Sequence, residues 1–222
     1  MYMLKYMHMV ATKTKTAYEH TQSITETEQP AASRWDSIGD YVTSLTNEPD
    51  FIALTEGRGL ERDSMEYADA LSQYAEASIA QQEGLMDEQM ATQVRLVANA
   101  PYMTHASLRI NELRRRRMGG RKLPKDEWDS FNTLKHQAVW YNQMLNDYMY
   151  TYDDESFSDI SQAITDQTLD HFPSGTTAAA TTMEGIVRGA RTEAATRHLF
   201  DDCEIPYRPA TQAEDLRGAD VS

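Results

Sequence analysis

A single cysteine, Cys203, stands in 222 residues, which excludes an internal disulfide and any cysteine-rich zinc site. No motif surrounds it, so it reads as a small buried side chain. No apolar run reaches the length of a membrane span. The opening MYMLKYMHMV is short and interrupted by Lys5 and His8, unlike a signal peptide, and Met9 begins a more ordinary start. A cytoplasmic protein with no membrane partner is expected. The six histidines show no paired spacing with acids or cysteines suited to zinc, and no helix carries a Glu-x-x-His pair. Phosphate-binding Gly-Lys-Ser/Thr loops and Gly-x-Ser-x-Gly elbows are also missing.

Lysine is scarce, six against fifteen arginines, and basic residues are outnumbered by 35 acidic ones to 21, for a net charge of −14. With 22 threonines, this composition is similar to that of proteins from salt-in halophiles, whose acidic surfaces hold water. An ordinary acidic protein is the alternative. Hydrophobic residues make up 40%, enough for a core in a chain of this length.

Residues 1–33 hold Thr, Ser, Glu and Gln with scarcely an apolar anchor after the first ten, and read as a disordered tail. From Ser33 the pattern becomes helical, with Trp35, Ile38, Val42 and Leu45 on one face up to Asn47-Glu48-Pro49. Phe51 to Leu54 is a short apolar piece, and Gly57-Arg58-Gly59 is a turn. Asp63 and Glu66 have the form of a capping box before a helix running to about Gln82. Met86, Met90, Val94 and Val97 mark the next helical stripe, and their methionines read as core filler. Pro101 suits a first helical position, opening a helix with Met103, Ala106, Ile110 and Leu113 inward and Gly119-Gly120 at its end. Pro124 starts a six-turn partner with Trp128, Phe131, Ala138, Tyr141, Leu145 and Tyr148 along one side. The two form an antiparallel hairpin over 101–150. Phe157, Ile160 and Ile164 open a shorter helix ending at Phe172-Pro173, and Thr176 to Asp202 is one more. The fold is therefore mainly α: a helical domain over 34–172, then 173–222 as a helix with short extended segments.

One segment defies the overall charge. Arg109, Arg114, Arg115, Arg116, Arg117, Arg121, Lys122 and Lys125 face a single acid, Glu112, giving a segment of net +7 within a chain of net −14 and leaving −21 for the remainder. Arginine forks match phosphate oxygens, so a hairpin tip of this kind can meet the backbone of DNA or RNA. The alternative is a positive helix end that complements its own dipole and pairs with protein acids. At high salt the Debye length falls to about 3 Å, so only direct contacts would survive. The aromatics Trp140, Tyr141, Tyr148, Tyr150 and Tyr152 are dense enough for a stacking surface, yet alternate ones fall on the core side, and packing is the simpler account.

The last stretch, GARTEAATRHLFDDCEIPYRPATQAEDLRGADV, orders a helix carrying Glu193, an extended piece at Ile205 to Arg208 and a second one entering at Gly218-Ala219-Asp220-Val221. Over about 35 residues it resembles the opening of a PD-(D/E)xK nuclease core. That resemblance implies a helical Glu, Glu193, and a strand Asp, Asp220, as part of a magnesium site activating a water for attack on phosphorus. No (D/E)xK carboxylate and lysine follow Asp220, so the implied site is incomplete and the chain alone is expected to carry no cofactor and no nuclease activity. The chain then reads as a truncated nuclease-like unit, or as one half of a split one that a second polypeptide completes, with magnesium bound only if the site is completed.

Two functions of different class are expected from these readings. One is a nucleic-acid-associated, truncated or split PD-(D/E)xK nuclease-like protein, of the sort a virus or mobile element of halophilic archaea would encode. The other is a non-catalytic helical interaction or assembly protein, for example a viral structural component, whose basic tip docks on an acidic partner.

Overall fold

A computed structural model describes residues 37–82, 84–152, 154–172, 176–208 and 211, the side chains of 154, 155 and 176 aside. The expected tail, Trp35, the 173–175 break and Asp220 with Val221 lie outside these residues. Seven helices and no strand occur among the described residues: α1 Ile38–Thr46, α2 Pro49–Gly57, α3 Met65–Gln81, α4 Glu88–Met118, α5 Lys125–Thr151, α6 Asp154–His171 and α7 Thr176–Asp202. The mainly-α expectation and the hairpin, here α4 against α5, are both present.

Local chemistry sets the helix starts. Ser37 is extended and its Oγ accepts from the Asp40 amide at 3.1 Å, satisfying one orphan donor of α1. Pro49 occupies the first turn of α2 and Phe51 is fully buried, so what read as a short apolar piece is a helix. The anchor is specific: Phe51 meets Tyr67 and Tyr74 edge-on, each at 5.3 Å between centroids. The cap of α3 is Ser64, whose Oγ accepts from the Tyr67 amide at 3.1 Å. The Asp63–Glu66 capping box is thus displaced by one residue, because Ser64 holds the extended backbone a cap requires. Asp87 caps α4 at 2.7 Å to the Met90 amide.

Pro101 does not begin a helix. It lies inside α4, a single helix of 31 residues, although an interior proline forfeits one hydrogen bond and costs about 3 kcal/mol. Burial outweighs that cost: Val97, Ala98, Ala100, Met103 and Thr104 are all at most 1% exposed. Thr104 satisfies its own hydroxyl on the Ala100 carbonyl at 2.9 Å.

α4 is the common wall, packing against α1, α3, α5, α6 and α7. Its contact with α5 is fixed by two tyrosines of α5. Tyr141 is fully buried and donates to the Leu96 carbonyl at 3.0 Å, and Tyr148 receives the Gln93 amide at 2.7 Å. α7 is held to α5 by Arg197, which donates to Asp147 Oδ1 at 2.9 Å and lies 4.2 Å from the Tyr150 ring centre. Beyond α7, residues 205–208 leave the helix and pair with no strand among the described residues. Cys203 is exposed rather than buried, because it lies in the turn just past the last residue of α7.

Candidate nucleic-acid interface

The α4–α5 turn is made by glycine. Gly120 has φ +79°, a left-handed conformation, and its amide reaches the Arg117 carbonyl at 3.0 Å while the Arg121 amide reaches that of Arg116 at 3.2 Å. This pair of bonds is a Schellman closure, which uses two carbonyls that would otherwise be left open at the helix end. The last turn of α4 carries Arg115, Arg116 and Arg117, and the first turn of α5 carries Asp126 and Glu127. Both choices complement the helix dipoles. The tight turn therefore brings the positive end of one sequence against the negative start of the next.

Glu127 is the clasp. Both oxygens of its carboxylate take the Arg116 fork, each at 2.7 Å, and Arg109 stands 3.8 Å from the same group. Arg109 also donates to Glu112 at 2.5 Å. The hydrogen bonding that Arg116 donates to Glu127 is the largest influence on Arg116 and raises its pKa further. Arg117 takes a different partner, its guanidinium carbon lying 5.2 Å from the centre of the Trp128 ring. Phe131, buried one turn further on, stacks with that indole at 5.6 Å and 22°. Trp128 itself is 38% exposed, so its expected place on the core side gives way to a place at the tip, where Phe131 takes the inward position.

The eight cations predicted from sequence fall into three groups. Arg109 and Arg116 converge on Glu127, and Arg117 lies over Trp128. Arg114, Arg115, Arg121, Lys122 and Lys125 are exposed and form no ion pair within the described residues. Glu127 and Trp128, the partners that these arginines take at the tip, are not among the site residues expected from sequence. Their position directly across a short turn from the arginine run was the available signal.

The other predicted site behaves differently. Glu193 is half-buried on α7 and accepts from Asn146 Nδ2 of α5 at 2.5 Å. Asp220 lies outside the described residues. No group of three or more His, Cys, Asp or Glu side chains suited to a metal ion occurs among the described residues.

A polar cluster unseen in the sequence sits one helical turn before Arg109 on the same face of α4. His105 of α4 and His171 of α6 place their Nε2 atoms 3.0 Å apart, which requires one to donate and the other to accept. His171 is 3% exposed, and burial, followed by the His105 charge, pushes its pKa down to about 4. Burial also lowers His105, against the opposing pull of Glu66 and Asp63. Beside it opens a groove of about 520 Å³ lined by residues that include Tyr102, His105, Arg109, Ser130 and Thr133.

No protein-family model matches the chain, and no curated protein or solved structure matches it. No described helix is long and apolar enough to cross a membrane.

Proposed function

We propose that this protein binds nucleic acid through the α4–α5 tip, with Arg114, Arg115, Arg121, Lys122 and Lys125 on phosphate oxygens. The observation that carries this reading is the division of labour at the tip. Two arginines are spent on Glu127 and hold the turn in place, while five cations project from it with no carboxylate partner among the described residues. In a chain of net −14, exposed cations gathered in one place offer a local site for an anionic partner, and phosphates fit arginine forks and lysine charges alike. The tip gives positioning on a backbone rather than base-edge readout. The PD-(D/E)xK resemblance agrees with a nucleic-acid substrate. Within this proposal Glu193 and Asp220 are half of a magnesium site; no (D/E)xK sequence occurs in the 222 residues.

A salt titration tests the reading. Affinity for DNA or RNA should fall linearly with the logarithm of salt concentration, with a slope set by the phosphates neutralised. Arg114→Ser/Arg115→Ser with Lys122→Ser should flatten that slope and weaken binding at least tenfold, while far-UV circular dichroism stays unchanged. Absence of binding at any salt where the protein is folded would overturn the proposal. It would favour an acidic protein partner instead, a reading suggested by the carboxylate already seated on Arg116.

A further inference from the structure

The phosphate-binding tip just proposed carries a feature that phosphate binding does not use. Trp128 opens α5 three residues after Lys125, 38% exposed, in a helix turn otherwise made of charged residues. The buried Phe131 fills the inward position and leaves the indole at the surface. Phe131 stacks with Trp128 and so fixes the plane of the indole from the protein side. The cation on the ring, Arg117, is itself exposed, a long side chain whose contact with the indole can be exchanged for another flat group at small cost. The five unpaired cations belong to the same tip, at the end of α4, in the turn and at the start of α5, while Asp126, Glu127 and Asp129 adjoin the indole in sequence.

An anchored aromatic plane on a tip rich in unpaired cations is the arrangement that recognises single-stranded nucleic acid: bases stack on the ring and the backbone follows the charges. A duplex keeps its base faces covered and offers only its phosphates. We infer that the tip selects single strands over duplex, with Trp128 as the stacking platform for one base and Arg117 moving from the indole to the flanking phosphate. The inference rests on the phosphate-binding reading above and adds the strand class to it. Stacking does not depend on the Debye length that weakens the charges, so this contact is expected to persist when salt screens the cations.

The test compares the full chain on a short oligothymidylate, a short oligouridylate and a duplex of the same length, read by fluorescence anisotropy. Wild type should prefer both single strands to duplex by about tenfold, the scale of one base stacked on an aromatic side chain. Trp128→Leu should remove that preference and leave duplex affinity within about twofold, and Trp128→Phe should restore most of it. The Phe variant guards against a folding defect, as it keeps the contact with Phe131. Equal affinity for single strands and duplex in wild type, or an equal loss on all three probes in Trp128→Leu, overturns the strand selection while leaving phosphate binding standing. No binding to any probe overturns both.

Discussion

Acid should destabilise this protein through its histidine pair before its carboxylates protonate. Folding places His171 in a site where its pKa falls from 6.5 to about 4, so the unfolded chain binds a proton that the folded chain resists. The sign follows directly: stability is whole above pH 6.5, declines as pH falls, and the decline is complete near pH 4. Over the whole window the shift corresponds to about 3 kcal/mol, and at pH 5 about 2 kcal/mol of it has been lost. Several charges face the pair: Arg62 opposes the proton, Asp63 and Asp170 favour it on His171, and Glu66 favours it on His105. Desolvation exceeds them all. Denaturant unfolding measured from pH 7.5 to 4.5 on wild type and His171→Gln would check this, since the carboxylates titrate in both and cancel in the comparison. Wild type should lose about 2 kcal/mol more than the variant by pH 5. Profiles that run parallel, or a His171 ring titrating near 6.5 by NMR in the folded protein, would refute the reasoning.

Two further outcomes follow from packing. Tyr141→Phe removes the buried hydroxyl that donates to the Leu96 carbonyl and should cost about 1–2 kcal/mol in urea unfolding, because that carbonyl loses a partner it cannot replace with water. Gly185→Ala and Gly189→Ala each place a methyl in open space within α7. Each should stabilise the protein by about 0.5–1 kcal/mol, read as a rise in Tm.

Much of the helical layout was readable because apolar spacing and end signals coincided. Gly119-Gly120 and Pro124 bracket the hairpin turn, and α7 runs between the residues its sequence suggested, Thr176 and Asp202. Where the reading went astray, a tertiary term had overruled a local one. Pro101 signals a helix start only when the preceding turn is free to unwind, and here Val97 and Ala98 are buried against the neighbours of α4. At the candidate site, charge was legible and apposition was not. The eight cations are consecutive enough to be seen in one dimension, whereas the Arg116–Glu127 clasp and the place of Trp128 exist only once α5 folds back. The histidine pair is further from reach still, joining positions 66 residues apart on helices that are not consecutive.

The clasp also limits how the tip can be transplanted. A peptide copying residues 109 to 128 would contain every charge of the site, yet two short helical ends joined by a turn do not persist alone in water. Cut from the rest of α4, the arginine run would lose the wall of five neighbouring helices that keeps it wound, and Arg116 would trade its bidentate carboxylate for solvent. The proposed binding surface is thus a property of the folded bundle and not of the basic sequence. A graft meant to carry it would need the bundle beneath Leu113 as well.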